Sequence, residues 1–486
     1  MALKIYNTQS RRKEEFQPLR EGKVGIYVCG ITAYDLCHVG HARSAVVFDV
    51  ITRHLRSQGW DVTYVKNFTD VDDKIIDRAR RERKGIGEIA ERYIREHDRD
   101  MAILGVLPPT FSPRATENIP GMIGLIDELI AKGLAYPMNG DVYYAVERFP
   151  GYGKLSGRNL EEMLSGARVD VNEKKRSPLD FALWKTSKEG EPWWESPWGR
   201  GRPGWHLECS AMSRRYLGDT FDIHGGGEDL IFPHHENEIA QSEGSTGKTA
   251  VRYWVHNGFV RVNSEKMSKS LGNFFTIRDI LQQYHPEVLR FFLLQSHYRS
   301  PVDFSDAALN EARQAMNRFY SMLQALKEVA ESGNETAAGS AERDEKTTVQ
   351  LQALRDGFAE SMDDDFNTAR AIGHLFDAVR AVNASLAEKK PFLSSGVSMQ
   401  TEKTFLEVGA VLGLFLEKPD TYLRGDRERE SGKRGLIVAE IERLIAERCA
   451  ARKAKSWARA DEIRDGLAAK GVLLQDGPDA TTWTIA

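Results

Sequence analysis

Cys29, Cys209, His234 and Glu238 carry two thiols, an imidazole and a carboxylate. Zinc accepts such a donor set in tetrahedral geometry. His234 and Glu238 stand four residues apart, which places both side chains on one face of a helix. Cys37 competes with Cys29 for its place and His235 with His234, and spacing leaves both choices open. A second candidate is His38-Val39-Gly40-His41. At a strand-to-helix junction, free backbone N–H groups and a positive dipole would face an anion. Gly40 would let a phosphate or adenine approach the backbone, and His38 and His41 could donate to phosphoryl oxygens as charge moves onto them. A third is Lys266-Met267-Ser268-Lys269-Ser270, followed by Gly272-Asn273, which reads as a mobile loop. Lys266 and Lys269 could close over a triphosphate and offset charge on a leaving pyrophosphate. His224-Gly225-Gly226-Gly227 follows a strand-like run, and its glycines permit contact with adenine or ribose. Ser242 to Thr249 is a near miss for a phosphate-binding P-loop: Ser242 stands where glycine is needed, and the segment follows a helix. Together these residues imply a metal reading one substrate beside a cationic clamp on a nucleoside triphosphate.

The elements that must position them are legible in outline. Val24–Val28 is a short apolar run and reads as a buried strand ending at Cys29. Residues 42–58 carry apolar side chains at helical spacing up to Gly59. Asp61–Val65 reads as a second strand, and Asp70 to Lys74 open a second helix with acidic first-turn residues. Strand, helix, strand, helix predicts a parallel α/β sheet. From about 121 to 200 the pattern loosens into Gly, Pro, Trp and Lys, as expected of an insertion between two halves of the sheet. Trp205–Cys209 and Thr220–His224 read as returning strands, a helix follows Pro233, and Tyr253–Val262 reads as one further strand. Beyond 305, residues 306–330, 350–388 and 399–415 have helical periodicity with polar breaks at 332–347 and 390–398. Arg424 to Gly432 reads as a charged flexible linker before a small domain of two helices and a strand-like end. In that domain Arg448, Arg452, Lys453, Lys455 and Arg459 surround Trp457, a pattern that can hold phosphates and stack a base.

A chain of 486 residues has room for two to four domains. Its 41% hydrophobic and 28% charged content is ordinary for a folded globular protein. A net charge of −4 gives no global attraction to nucleic acid or anionic lipid, so RNA contact must come from local basic patches. No apolar run is long enough to span a bilayer, and the N-terminus lacks a secretion signal. Four cysteines do not make a disulfide framework, so reduced thiols and a cytoplasmic location are expected.

These motifs, in this order, resemble the class I aminoacyl-tRNA synthetases, and among them the cysteinyl-tRNA synthetase family. His38 to His41 is similar to the first class signature, with Val39 in place of a more usual isoleucine, and Lys266 to Ser270 to the second. The resemblance implies a Rossmann-type parallel-sheet catalytic domain (1–120 and 201–265) with a connective insertion (121–200). It further implies a signature-loop and stem-contact region (266–305), a helical bundle on the anticodon side (306–420) and a linker with a small mixed C-terminal domain (421–486). It implies Cys29, Cys209, His234 and Glu238 as zinc ligands, one ion per chain, and Gly30, Thr69 and Trp205 as the amino-acid pocket. His38, His41, Lys266 and Lys269 would be catalytic, and Gly40, His41, Gly226 and Lys269 would bind ATP. ATP with Mg²⁺, L-cysteine and cysteine tRNA are the expected partners, with no membrane and a monomeric chain.

The implied activity forms cysteinyl-adenylate and transfers cysteine to the 3′ end of tRNA. Zinc prefers a soft thiolate to a hydroxyl and would reject serine, where ordinary pocket contacts discriminate by only about 1–3 kcal/mol. The alternative is a ligase of the same fold that joins cysteine to an amino sugar; the long region after 305 favours tRNA. A zinc hydrolase could use Glu208 or Glu236 as a base, but would leave the lysine loop unexplained.

Overall fold

A computed structural model describes residues 2–159, 175–262, 265–266, 275–331, 341–387, 393–476 and 481–485. It opens with a hairpin of β1 (Lys4–Asn7) and β2 (Arg12–Glu15). Then come β3 (Lys23–Thr32), α1 (Val39–Ser57), β4 (Asp61–Thr69), α2 (Asp73–Glu82), α3 (Ile86–Ile103) and α4 (Ile119–Ala131). An antiparallel sheet follows, of β5 (Ala135–Met138), β6 (Asp141–Tyr144), β7 (Phe181–Thr186) and β8 (Gly201–Pro203). The chain returns through α5 (Trp205–Leu217), β9 (Phe221–Gly227), α6 (Glu236–Thr246) and β10 (Val251–Asn257).

Strands β10, β9, β3 and β4 form one parallel sheet in that order. Strand order reverses between β3 and β9, and in open α/β sheets ligands bind at such a switch point beyond the carboxyl ends of the strands. β3 is buried on both faces, as a parallel strand under helices must be, which explains its unbroken apolar run. α1 packs on the sheet through Ala42, Val46, Phe48 and Leu55. Its stop at Ser57 is followed by Gly59 at φ +87°.

A short sheet of β11 (Val260–Val262), β12 (Glu265–Lys266) and β13 (Val302–Phe304) precedes the helical half. Between β12 and β13 lie α7 (Ile277–Leu281) and α8 (Pro286–Leu294). The bundle contains α9 (Asp306–Glu331), α10 (Ala341–Asp363), α11 (Thr368–Ala387), α12 (Ser395–Leu412) and α13 (Pro419–Lys433). The C-terminal module has α14 (Val438–Lys453), α15 (Trp457–Ala469) and a hairpin of β14 (Val472–Asp476) and β15 (Thr481–Ile485) around Ile441, Ile463, Leu467 and Trp483.

Four expectations about elements change. Trp205–Cys209 is the first turn of a helix: Leu207, Ala211 and Met212 recur at helical spacing, a period that five residues are too few to show. Tyr253–Val262 is two strands, parted where Gly258 packs so closely that a Cβ there would meet the Ser300 carbonyl oxygen at 2.6 Å. The run 350–388 divides at Asp365 and Phe366, both at positive φ, where the buried Asp365 carboxylate accepts from Tyr6 N–H and Tyr298 O–H at 2.8 Å each. The charged stretch 424–432 is helical, not a linker. Its buried face carries Asp426 and Glu430, which meet Arg313 of α9 at 3.1 and 3.6 Å, so polar residues carry the helical period there.

Candidate active site

At the carboxyl end of β3 the pairing with β4 slips between Val28 and Ile31. The slip turns Cys29 and Gly30 out of the ladder. Gly30 N–H is instead bonded to the Asn67 side-chain oxygen at 2.9 Å, and an added Cβ at Gly30 would sit 1.5 Å from the Asn67 carbonyl oxygen. Only glycine fits. From this bulge the Cys29 sulfur reaches 3.5 Å from Cys209 Sγ, which α5 supplies, and 3.3 Å from Glu238 Oε1, which α6 supplies. His234 Nε2 lies 3.0 Å from the same oxygen. The donor atoms of Cys29, Cys209, His234 and Glu238 all fall within 4.8 Å of one another. Cys37 is elsewhere, buried among residues of α3, with its thiol pushed up to about 12 by burial and by Asp100.

His235 joins a second, overlapping cluster with Cys29, His224 and Glu238. Its Nε2 is 3.3 Å from Cys29 Sγ and its Nδ1 is 2.8 Å from His256 Nε2, whose other nitrogen meets Thr8 Oγ1 at 2.8 Å. His224 Nε2 lies 2.8 Å from Glu238 Oε2. Burial opposes the charge on Glu238, but His224 and His234 outweigh it and hold the carboxyl well below the usual carboxylate range. Burial, then the adjacent Cys209 and Glu238, push the Cys29 thiol well up. Burial and His234 hold His206 down at about 3. A cation fits this chemistry. The buried His234 Nε2 points into the cluster beside Glu238, and two thiols crowded against a carboxylate gain from a positive charge among them.

Cys29 opens onto a cavity of about 350 Å³ whose wall also includes Gly30, His38, Gly40, His41 and Trp205. His38 caps α1: its Nδ1 accepts Gly40 N–H at 3.0 Å, while His41 Nδ1 accepts the His38 N–H at 3.2 Å. The two rings stack with centroids 3.8 Å apart. Trp205, 40% exposed, stacks on His234 with centroids 4.2 Å apart. Two residues expected in the site stand behind the wall. Thr69 is buried and donates to Glu208 at 2.5 Å, with Thr32 lining the cavity instead. Gly226 packs against His235 and Leu230, with Gly227 on the wall. Lys266 is described only through its strand, and Lys269 lies outside the described residues, as does the rest of the expected mobile loop from Met267 through Asn273. Asn67, His206 and His256 belong to no motif that the spacing shows. His224 was visible only as the start of the glycine run, which lies within β9 and does not follow it.

The sequence matches the profile of the tRNA synthetases class I (C) catalytic domain over residues 15–314, the DALR domain over 357–417 and the cysteinyl-tRNA ligase anticodon binding domain over 435–483. Cysteine–tRNA ligase of Geobacter sulfurreducens is 58% identical over 485 residues, covering 100% of both chains. That of Geobacter metallireducens is 57% identical over 486 residues with the same coverage. The chain belongs to the cysteinyl-tRNA synthetase family. Among solved structures, methionyl-tRNA synthetase of Mycobacterium tuberculosis with methionyl-adenylate shares the fold, with TM-score 0.62 and 16% identity, covering 82% of this chain and 93% of that one.

In this family setting the C-terminal basic cluster is less free than its composition suggests. Arg448 is buried and bonds Asp476 at 2.7 and 2.8 Å, Arg452 meets the same carboxylate, and Arg459 pairs with Glu447 and Glu462. Trp457 is 59% exposed. Among the described residues no helix is long and apolar enough to cross a membrane.

Proposed function

We propose that the cavity activates L-cysteine with ATP and passes the cysteinyl group to tRNA, the activity of a cysteine–tRNA ligase. One observation carries the assignment of the site: Cys29 of a sulfur-rich donor set and a helix N-terminus with two histidines line a single cavity. An amino-acid thiol and a nucleotide α-phosphate can therefore meet there. Cys29, Cys209, His234 and Glu238 would hold zinc, which when bound favours a thiolate over a hydroxyl and so selects cysteine against serine. The set with Cys209 is preferred to that with His224 and His235 because it brings two thiols, 3.5 Å apart, where the other brings one, and sulfur is the softer donor.

The chain's own residues supply positioning and charge. The N-terminus of α1, with His38, Gly40 and His41, would hold the phosphates as the cysteine carboxylate attacks the α-phosphorus and pyrophosphate leaves. Lys266 and Lys269 are assigned to the departing pyrophosphate by their motif. Gly30 and Trp205 would flank the amino acid. Mg²⁺ accompanies ATP. The bundle and C-terminal module would carry the tRNA, and the match of the latter to an anticodon binding domain favours tRNA over an amino sugar as acceptor. The test is cysteine-dependent ATP–pyrophosphate exchange followed by charging of bulk tRNA. Both activities are expected; exchange without charging would favour the sugar ligase, and absence of exchange would end this reading.

A further inference from the structure

The sheet order β10-β9-β3-β4 divides the cavity. Gly227, Asn257 and Val260 wall it at the β9–β10 side, Cys29 and the α1 histidines at the centre, and Lys66, Lys74 and Tyr34 at the β4 side. The β4 side has a different chemistry. Lys66 is half-buried near the end of β4, yet among the described residues its ammonium makes no hydrogen bond or ion pair. Burial lowers its pKa; Cys37 and Asp98 favour its charge, but neither bonds to it. Lys74, exposed on the first turn of α2, has its Nζ 5.4 Å from the centroid of the Tyr34 ring. Two cations and an aromatic face on one wall suit a phosphodiester with an adjoining unstacked base.

We propose that Lys66, Lys74 and Tyr34 bind the 3′-terminal nucleotides of the RNA substrate. The lysines hold the last internucleotide phosphate and the Tyr34 ring supports a base. This rests on the reading of the chain as a tRNA-charging enzyme. The terminal ribose hydroxyl then attacks the carbonyl carbon of the aminoacyl-adenylate. A new ester C–O bond forms, the acyl–phosphate C–O bond breaks, and AMP leaves with that electron pair while the hydroxyl proton is released. A phosphate held from the β4 side brings the ribose in from the edge opposite the nucleotide pocket, so the acceptor need not cross the bound adenylate.

The test separates activation from transfer. For Lys66→Met, Lys74→Met and the double variant, ATP–pyrophosphate exchange should stay within about twofold of the parent. Single-turnover transfer from preformed cysteinyl-adenylate should fall at least about tenfold, the equivalent of about 1.4 kcal/mol. Lys66→Arg should restore transfer, and the salt dependence of transfer should flatten with each lysine removed, as loss of a phosphate contact requires. Removing the last three nucleotides of the tRNA should weaken binding to the parent and leave the double variant unaffected. Exchange falling in parallel with transfer would assign the lysines to the ATP phosphates and overturn the proposal, as would transfer that does not change. A parent without cysteine-dependent exchange would instead overturn the functional reading on which the proposal stands.

Discussion

Cys209 and Gly30 act on the site in different ways, and each can be isolated. Cys209 offers a sulfur on the first turns of α5, 3.5 Å from that of Cys29. Cys209→Ser exchanges a soft donor for a hard one. It should lower the zinc content of the purified protein, read by mass spectrometry, and raise the KM for cysteine at least about tenfold. Full metal content with an unchanged KM would remove Cys209 from the site. Gly30 acts through shape alone. Gly30→Ala forces a methyl group to within 1.5 Å of the Asn67 carbonyl oxygen, so β3 and β4 must part. The expected cost is at or above the roughly 1–3 kcal/mol typical of overpacking, seen as a lower denaturation midpoint together with weaker cysteine binding. The sequence made the four donors visible as residue types at suggestive spacing. It left Cys37 open against Cys29, because only the fold shows Cys37 buried outside the donor cluster. Asn67 stayed hidden for another reason: an amide that fixes a backbone bulge and lies 3.7 Å from Cys209 Sγ belongs to no motif.

Among elements, those whose period is carried by apolar side chains were legible, and those whose period is carried by charge were not. β3, α1 and β4 lie close to where alternation and spacing place them. α13 reads as solvent-loving chain until Asp426 and Glu430 are seen buried against Arg313. The C-terminal hairpin shows the same polar wiring in a testable form. Asp476 accepts from Arg448 and from Thr481 Oγ1, and these bonds hold its carboxyl well below the usual range. Its folded pKa is therefore below the unfolded value of about 3.9, so its contribution is complete above about pH 4 and is lost as acid protonates it. Asp476→Asn should lower the stability of this module near pH 7, modestly because the carboxylate is 37% exposed. The difference from the parent should shrink as pH falls well below 4. Chemical denaturation of the full chain, followed by Trp483 fluorescence at several pH values, measures it; a pH-independent difference would mean the ion pair is not its source.

At the scale of the molecule, a buried carboxylate links α1 to the helical bundle. Asp49, on the same helix that presents His38 and His41, accepts from Arg53 Nε at 2.8 Å, from Leu107 N–H at 3.0 Å and from the buried Arg290. Arg290 donates to Leu412 O at the end of α12 at 2.6 Å, and Arg53 to Ala410 O at 3.0 Å. Signature helix and helical bundle thus share a charge network. Asp49→Ala strands Arg290 in the interior, which costs about 3–5 kcal/mol when a buried pair loses one partner. Calorimetry should show the sheet and the bundle losing stability together; an unmoved transition would mean the guanidiniums do not need this carboxylate. Periodicity foretold a parallel sheet and a helical half but had no means of foretelling this union, since a lone Asp in an apolar helix announces no partner hundreds of residues away. The donor cage has a similar reach. Its members come from β3, α5, the turn before α6 and α6 itself, and the last of them is Glu238 in a chain of 486 residues. During synthesis the ribosome must therefore deliver nearly half the polypeptide before the four donors can meet, so an ion held by all of them would report that the first half has matured.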